Sequence, residues 1–448
     1  MASSGRNMVE PMPVLAGTGG VALGEARTNH EGRKAVLLHR DGSPRELVAL
    51  AETMGIEIVD VQYQRGDEDA RGYFGRGRLQ DIADELSSAI EGHPWHGVDL
   101  IIIHSNASPR QLVNIHTSTQ VEVWDRVRLL LSLFISHANS VEARTQVRIA
   151  QLQADRTVLR ELVNQQTSGE RAGFGGGGIQ AAQGVLTTVS RELAQLRKKQ
   201  AKQALARRER RRQRTRGGAK TVGLAGYTNA GKSSLFLALS GKEVLVEDKL
   251  FSTLETTVGR MEMSPRILLA DTIGFIDELP SDLLDAFHAT LDESLQCDLL
   301  LLLADSSDDI DELTRKLSTS RREVLDRIEE GYLNMKVVLT KCDLDSDLDA
   351  AQNVVKSMGM SEAIVVSSNE NVGLDKLRNE IMHSLYGPQK NLIVSQAVMG
   401  QKSEEAIVSQ IYDIGIVTNR NGLELTVWCD NAELQRLIVK SGGRVSIK

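Results

Sequence analysis

The sequence contains few cysteines and lacks any apolar run long enough to cross a membrane. A membrane-spanning helix needs roughly 18 or more consecutive apolar residues, whereas the longest candidate here, Leu299 to Ala304, has an aspartate on each side. That run instead predicts a buried strand. The widely spaced cysteines form no CxxC pair, which argues against a disulfide framework or a zinc site and favours a reducing compartment, so we expect a cytoplasmic protein. The three cysteines are Cys297, Cys342 and Cys429.

Length and composition are typical of a soluble globular protein with several domains. The chain has 448 residues, of which 41% are hydrophobic and 25% are charged. This composition excludes a fully disordered chain, and at roughly 150 residues per domain the length predicts about three domains. Residues 1–33 contain no clear signal peptide and are predicted to be mostly disordered.

The net charge hides a strongly basic segment. The whole chain carries −7, but residues 191–216 contain twelve Lys or Arg and two Glu, a local charge of +10. The mean charge alone would suggest a protein indifferent to nucleic acid. The local charge instead predicts one element that binds phosphates.

The hydrophobic pattern divides the chain into several parts and predicts an α/β protein. Short apolar runs alternate with helical patterns near the amino terminus, which indicates a small parallel α/β domain. Its strands are predicted at 35–38, 56–61 and 98–103, and its helices begin near residues 44, 77 and 109. In the last segment strand-like runs cover 411–417 and 423–428, with a helix near 432–439. The predicted parts are a disordered segment (1–33), an α/β domain (34–123), a helical hairpin (124–216), a second α/β domain (217–387) and a small carboxyl-terminal domain (388–448).

Two heptad-like seams predict the helical hairpin. The first seam predicts one long helix, and a cluster of glycines at Gly173 and Gly175 to Gly178 breaks the pattern before the second seam begins. The alternative is a pair of helices that pack on the neighbouring domains. The first seam is Val127, Leu131, Phe134, Ala138, Val141 and Thr145, and the second is Leu186, Val189, Leu193, Leu196, Gln200 and Gln203.

The second predicted helix ends in a dense arginine cluster. Six of the eight residues from Arg207 to Arg214 are arginine, and they surround the helix beyond the end of the apolar seam. A charge run is usually a solvated surface, but this density causes self-repulsion that a bound anion would relieve. No aromatic residue is interleaved, which argues against stacking on single strands. Phosphate contact with structured RNA fits the pattern better.

A phosphate-binding loop begins the second α/β domain. The segment 226–233 reads GYTNAGKS and matches GxxxxGK[ST], and it follows an apolar run at 222–225. Its glycines allow backbone N–H groups to converge on a phosphate, its lysine neutralises the β- and γ-phosphates, and its serine ligates Mg²⁺. A purely structural glycine turn is the alternative, and the flanking strand and helix patterns argue against it. The predicted contacts are Gly226, Tyr227, Thr228, Asn229, Ala230, Gly231, Lys232 and Ser233.

Three later segments, each after a predicted strand, favour GTP over ATP. Asp271 can hold the magnesium shell and the N–H of Gly274 can contact the γ-phosphate. Asp343 can accept hydrogen bonds from N1–H and the exocyclic amine of guanine, and adenine offers neither donor at that place. Backbone groups of the third segment can cover the base oxygen. The predicted contacts are Asp271, Thr272, Ile273 and Gly274, then Thr340, Lys341, Cys342 and Asp343, and finally Ser367, Ser368 and Asn369.

These motifs and several further segments resemble the HflX family of translational GTPases. The segments LFSTL (250–254) and DTIGFIDELP (271–280) carry the resemblance within the second α/β domain, followed by Ala286-Phe287 and 289–291. Upstream, residues 73–78 resemble the family's YxGxGK segment, and 124–126 and 142–147 resemble its long helix. The resemblance covers about 34–387. It implies a P-loop GTPase domain preceded by a small parallel α/β domain and a long helical hairpin, and followed by a short α/β carboxyl-terminal domain.

The resemblance also implies roles for individual residues. Thr253 would join Ser233 on Mg²⁺ when GTP is bound, and Phe251, Ser252, Leu254 and Glu255 would surround it along the nucleotide. Phe275 lies where Ras-like proteins carry a catalytic glutamine, so we expect slow intrinsic hydrolysis with the missing group supplied by a partner or a rearrangement. Asn229 matches the asparagine of potassium-activated GTPases and could hold K⁺ beside the phosphates, or it could only shape the loop. No catalytic residue is identified, and Asn229 and Gly274 are the supporting candidates.

As a function, the resemblance implies a GTPase that converts GTP to GDP and binds the large ribosomal subunit and its rRNA, splitting or rescuing ribosomes. We expect a monomer. Alternatives are a ribosome-assembly or RNA-chaperone GTPase, and a regulatory GTPase whose hairpin binds a protein.

Two departures from the family matter: residues 175–183 replace the usual GPGE tip, and Thr340 replaces the asparagine of NKxD. Threonine can still hydrogen-bond the P-loop, so guanine selection through Asp343 should survive.

Overall fold

A computed structural model describes most of the chain. The described residues are 30–138, 141–167, 177–216, 218–241, 257–261, 264–271, 274–275, 295, 297–326, 334–396 and 403–448. They divide into two compact units, the first ending at Ala206 and the second beginning at Arg207. Nearly all of the segment predicted to be disordered at the amino terminus lies outside the described residues, as do Gly173, Gly175 and Gly176.

A parallel sheet with covering helices forms the amino-terminal part of the first unit. The strands pair side by side in the order β2-β1-β3-β4, and each pair is parallel. The predicted strands are confirmed, because apolar side chains of β1 and β3 fill the core together with residues from α2 and α3. The elements are β1 (Lys34–His39), α1 (Arg45–Thr53), β2 (Glu57–Tyr63), α2 (Arg76–Ser88), β3 (Val98–Ile103), α3 (Pro109–Thr119) and β4 (Glu122–Trp124).

The first heptad seam does not form a single helix. It is divided between α4 (Arg126–His137) and α5 (Val141–Thr167), so the prediction of one long helix is wrong. Ala138 after α4 takes an extended conformation (φ −75°, ψ 93°), and its carbonyl accepts a hydrogen bond from Nε of Arg144 at 2.9 Å. Val141, a predicted seam residue, is 60% exposed.

The long helices α5 and α6 (Gly177–Arg216) pack together. Ile149, Leu152 and Leu159 of α5 share an apolar cluster with Val189 and Leu193 of α6, which confirms those members of the second seam. Arg148 and Glu192 add an ion pair at 2.9 Å. Another part of α5 joins the sheet core through Val158. α6 begins within the predicted helix-breaking cluster, so Gly177 and Gly178 are helical.

A mixed sheet forms the centre of the second unit. Its described strands are ordered β10-β9-β8-β5-β7-β6, with all pairs parallel except the antiparallel pair β6–β7. Because the parallel strands end at the same edge, the loops that follow β5, β7, β8 and β9 come together there. The elements are β5 (Lys220–Gly226), α7 (Lys232–Ser240), β6 (Thr257–Met261), β7 (Ser264–Asp271), β8 (Leu299–Asp305), α8 (Ile310–Leu325), β9 (Met335–Thr340), α9 (Leu348–Ser357), β10 (Ile364–Val365) and α10 (Leu374–Tyr386).

An antiparallel sheet with two helices completes the second unit. The order β12-β13-β11-β14 and the βαββαβ sequence of elements correspond to a split βαβ arrangement. Ile416 and Trp428 of this sheet share an apolar cluster with Ile381 and Tyr386 of α10. The elements are β11 (Lys390–Val394), α11 (Glu404–Ile414), β12 (Gly415–Asn421), β13 (Glu424–Cys429), α12 (Asn431–Lys440) and β14 (Val445–Ile447).

The prediction of a strand from 411 to 417 is wrong for its first four residues, which end α11. Ser403 caps this helix by accepting a hydrogen bond from the amide of Ala406 at 3.3 Å. Ile407, Val408 and Ile411 are buried at helical spacing, so packing of the preceding turns decides the conformation. None of the helices in the described part of the chain combines the length and the hydropathy that a membrane crossing demands.

Candidate nucleotide-binding site

The predicted phosphate-binding loop connects β5 to α7 and depends on its glycines. Gly226 has φ +153°, and a Cβ atom at this position would lie 2.5 Å from the carbonyl oxygen of Leu303. Gly231 has φ +75° and precedes the first turn of α7. Asn229 also has positive φ (+62°), a conformation that asparagine tolerates better than most residues. The loop therefore has the tight curvature that allows backbone N–H groups to face a phosphate.

Lys232 is buried under the loop that precedes it. Its ammonium donates hydrogen bonds to the carbonyl oxygens of Tyr227 at 2.7 Å and Gly226 at 3.2 Å. Burial lowers the pKa of Lys232 to about 8, and the nearby carboxylate of Asp271 acts in the opposite direction. A buried ammonium with this limited compensation is suited to bind an anion such as a phosphate.

Ser233 and Asp271 bring two oxygen ligands together. The hydroxyl of Ser233 donates to Oδ2 of Asp271 at 2.8 Å, and Asp271 at the end of β7 is fully buried. Hydroxyl and carboxylate oxygens are the donors that Mg²⁺ prefers, so the chemistry of this pair fits the predicted ion. The third predicted participant, Thr253, lies outside the described residues, as do Phe251, Ser252, Leu254 and Glu255.

The segment after the DxxG motif lies directly against the phosphate-binding loop. The amide of Phe275 donates to the carbonyl of Gly226 at 3.0 Å, and the amide of Thr228 donates to the carbonyl of Phe275 at 2.8 Å. Gly274 is close enough to the loop that a Cβ atom there would lie 2.8 Å from Nζ of Lys232. The predicted residues Thr272 and Ile273 lie outside the described part.

Thr340 links the base-recognition segment to the phosphate-binding loop. Its hydroxyl lies 3.0 Å from the carbonyl oxygen of Ala230 and 3.1 Å from that of Ala304. A threonine hydroxyl has one proton, so these two carbonyls share it. The expectation that threonine can replace the usual asparagine as a donor to the P-loop is therefore confirmed for this contact.

The predicted guanine-binding residues follow β9 and β10. Asp343 is exposed at the surface, whereas Ser367 is fully buried and its hydroxyl accepts from the amide of Glu370 at 3.1 Å. The amide of Cys342 donates to the carbonyl of Val366 at 3.3 Å, which joins the two segments. Burial raises the pKa of the Cys342 thiol, so the thiol is protonated near neutral pH. Ser368 is partly exposed and Asn369 is exposed beside it.

A set of polar residues at the end of β8 also reaches this edge of the sheet and was not predicted from the sequence. Asp305 forms an ion pair with Lys341 at 2.7 Å, and the hydroxyl of Ser306 donates to the carbonyl of Thr340 at 2.8 Å. The available signal was the position of Asp305 directly after a buried strand, at the edge where the other motifs end.

Comparison with known proteins identifies both α/β parts of the chain. Residues 221–341 match the family model described as "50S ribosome-binding GTPase", and residues 42–135 match "GTP-binding GTPase N-terminal". The chain is 31% identical over 386 residues to "GTPase HflX" of Methanocaldococcus jannaschii, covering 79% of this chain and 93% of the relative. It is 32% identical over 403 residues to "GTPase HflX" of Gluconacetobacter diazotrophicus, covering 88% and 84%.

Among solved structures, the chain is similar to a GTP-binding protein from Sulfolobus solfataricus in complex with GDP. The two are 23% identical with a TM-score of 0.44, over 79% of this chain and 98% of the other.

Proposed function

Because this chain belongs to the HflX family of GTPases, we propose that it binds the large ribosomal subunit and, when loaded with GTP, splits or rescues ribosomes. The observation that carries the proposal is the match of residues 221–341 to a 50S ribosome-binding GTPase. That match covers the phosphate-binding loop, the first residues of α7 (Lys232 and Ser233) and Asp271 at the end of β7. The activity itself, hydrolysis of GTP to GDP, is that of the family.

In the proposed site the phosphates contact the 226–233 loop, with Lys232 on the β- and γ-phosphates. Ser233 and Thr253 ligate Mg²⁺, which neutralises phosphate charge when it is bound. Asp271 orients the hydroxyl of Ser233, as its 2.8 Å contact supports. Asp343 accepts the N–H donors of guanine, and the Ser367–Asn369 segment covers the base oxygen.

The proposed output is a conformational switch. The γ-phosphate holds the Thr253 segment and the Gly274 segment in place, and hydrolysis releases both. Phe275 has no group that can orient water, so we propose slow intrinsic turnover that the ribosomal partner accelerates. Asn229, exposed on the loop, is the proposed ligand of an activating K⁺ ion.

The basic part of α6 is the proposed rRNA contact. Arg207 to Arg214 lie in the last turns of this helix, and six arginines provide the charge that a phosphate backbone attracts. Replacement of all six arginines with glutamine should therefore weaken binding to the large ribosomal subunit and make that binding less sensitive to salt. Replacement of exposed cations of the carboxyl-terminal sheet domain, Arg436 and Lys440, is the matched control.

The decisive experiment measures GTP turnover with and without purified large subunits, in K⁺ and in Na⁺ buffers, and follows 70S particles by sedimentation. Stimulation by the subunit together with GTP-dependent loss of the 70S peak supports the proposal. Stimulation without splitting favours an assembly or RNA-chaperone role. No stimulation in either salt contradicts ribosome binding, and lower turnover in Na⁺ supports the K⁺ site. Light scattering of the free protein tests the expectation that it is a monomer.

A further inference from the structure

Asp305 is held in place by its own loop. Its Oδ1 accepts hydrogen bonds from the amide of Ser307 at 3.0 Å and from the Ser307 hydroxyl at 2.7 Å. Its Oδ2 lies 2.7 Å from Nζ of Lys341. The side chain of Asp305 is only 9% exposed, so both oxygens of a nearly buried carboxylate have defined donors.

The backbone around this ion pair is equally well defined. The amide of Ser306 donates to the carbonyl of Thr340 at 3.0 Å, and the hydroxyl of Ser306 donates to the same oxygen at 2.8 Å. Lys341 itself has φ +58°, a left-handed conformation that is uncommon for a residue with a side chain. Such outliers persist only where the surroundings determine them. The end of β8 therefore fixes both the backbone and the ammonium of Lys341.

We propose that Asp305 is a positioning residue for guanine recognition, acting through Lys341. The proposal rests on the proposed function, in which the segment 340–343 binds the base. Lysine has a long flexible side chain, and ordering it costs conformational entropy when a ligand binds. With its ammonium fixed on Asp305, the methylene stem of Lys341 forms a preorganised apolar surface beside Asp343, against which the flat base packs.

A nearby ion pair provides a matched control. Asp308, on the loop between β8 and α8, contacts Lys316 at 2.7 and 2.9 Å. This pair has the same chemistry and lies on the same loop, but Lys316 belongs to α8 and not to the base-recognition segment. If Asp305→Asn acted only by removing negative charge from the loop, Asp308→Asn should weaken nucleotide binding as well. If it acts by releasing Lys341, only Asp305→Asn should weaken binding.

The proposal predicts a particular pattern of affinities. Because Asp305 acts on the base and not on the phosphates, Asp305→Asn should weaken GDP and GTP equally and leave kcat unchanged. We expect both dissociation constants to rise about three- to tenfold, which is the effect of freeing one long side chain at a binding site. The increase should appear mainly in the dissociation rate.

The experiment measures dissociation constants for fluorescent GDP and GTP on the full chain, for the wild type, Asp305→Asn, Asp308→Asn, Lys341→Ala and the double variant Asp305→Asn/Lys341→Ala. Asp308→Asn should bind like the wild type. In the Lys341→Ala background Asp305→Asn should have no further effect, because the side chain through which it acts is gone. Fully additive losses, or unchanged affinity of Asp305→Asn, would overturn the proposal.

Two further variants separate the possible failures. Ser307→Ala removes one donor to Asp305 and leaves the strand intact, so it should raise both dissociation constants about twofold even if Asp305→Asn does not fold. Asp343→Asn tests the proposed function by itself. If the wild type does not bind guanine nucleotides, the proposed function fails. If the wild type binds and Asp343→Asn does not, but Asp305→Asn binds normally, only the role of Asp305 fails.

Discussion

Thr228 and Phe275 are joined by a backbone hydrogen bond of 2.8 Å, in which the amide of Thr228 is the donor. Together with the hydrogen bond from the amide of Phe275 to the carbonyl of Gly226, this contact places the end of the DxxG segment on the phosphate-binding loop. Phe275 is only 1% exposed. Phe275 is therefore used for packing and backbone pairing, and its phenyl ring has no group that can orient a water molecule.

Gly274→Ala should impair hydrolysis more than GDP binding. A Cβ atom at Gly274 would lie 2.8 Å from Nζ of Lys232 and 3.0 Å from Cα of Thr228, so the segment must move away from the γ-phosphate position. Loss of one preorganised donor costs roughly 100-fold in rate, and we expect a decrease of that order in single-turnover hydrolysis. In the proposed site this amide contacts the γ-phosphate, which GDP lacks, so the affinity for GDP should decrease less than the hydrolysis rate. Gly77→Ala, where a Cβ meets nothing within 4 Å, is the control, and wild-type hydrolysis by Gly274→Ala would contradict the role.

Asp343→Asn should change the base preference of the nucleotide site from guanine to xanthine. In the proposed site the carboxylate of Asp343 accepts from two N–H donors of guanine, and an amide in its place would present a donor to the C2 carbonyl of xanthine. An unpaired polar group at a site of this kind typically costs a factor of 10⁴ or more in discrimination. Competition of GDP, XDP and ADP against a fluorescent nucleotide measures the change. Retained preference for GDP in the variant would show that another residue selects the base.

Thr340→Val should destabilise the GTPase domain and weaken nucleotide binding together. Valine has nearly the same shape but leaves the carbonyls of Ala230 and Ala304 without the Thr340 hydroxyl. A buried acceptor without its donor costs about 1–3 kcal/mol, which denaturant unfolding of the nucleotide-free protein can measure. Thr340→Ser keeps the hydroxyl and is the control. Equal stability of the valine and serine variants would mean that the hydroxyl contributes nothing.

His39 should make the first unit less stable in mild acid. Burial lowers the pKa of His39 below 6.5, the usual value for histidine; His104 acts in the same direction, and Asp41 opposes them. Between the lowered pKa and 6.5 the unfolded chain binds more protons than the folded one. The free energy of unfolding therefore increases with pH in this window and decreases as the pH falls below 6.5.

Unfolding curves of the wild type and His39→Gln between pH 5 and pH 7.5 test this effect. The variant should show a smaller dependence on pH, whatever its absolute stability. Replacement of the exposed His96 controls for the loss of a histidine. The same slope in His39→Gln and the wild type would exclude His39 as the source.

Local motifs made much of this protein predictable from its sequence. The curvature around Gly226 and Gly231 follows from residue types within eight positions, and the strands before each motif are short buried runs such as β8. Thr340 was also predictable, since its hydroxyl needs only a carbonyl of the adjoining loop. For the loop and the strands the determining residues are close in sequence, whereas the contact of Thr340 with Ala230, 110 positions away, was predictable because the family resemblance implies that the two motifs meet.

Other features were not predicted, each for its own reason. The end of α4 at Ala138 was missed because a heptad seam continues across it, and the hydrogen bond from Arg144 competes with the helical pattern. The last turn of α11 resembles a strand because Ile411 and Ile414 continue into the apolar residues of β12, with only Asp413 and Gly415 as breaks in the run. Asp305 was not predicted because its role depends on Lys341, which is 36 positions later in the sequence. Short-range sequence patterns do not predict an ion pair at that separation.

The shared cluster of Ile416 and Trp428 with α10 has a thermodynamic consequence. These side chains belong to the same apolar core as Leu235 and Phe236 of the helix that follows the phosphate-binding loop. Unfolding of the carboxyl-terminal sheet therefore exposes part of the core that supports nucleotide binding, and the two regions should melt cooperatively. A nucleotide that stabilises the loop also stabilises the last strands of the chain by linkage. Truncation at Gly387 should therefore lower the affinity for nucleotide, although the removed residues lie outside the binding loop.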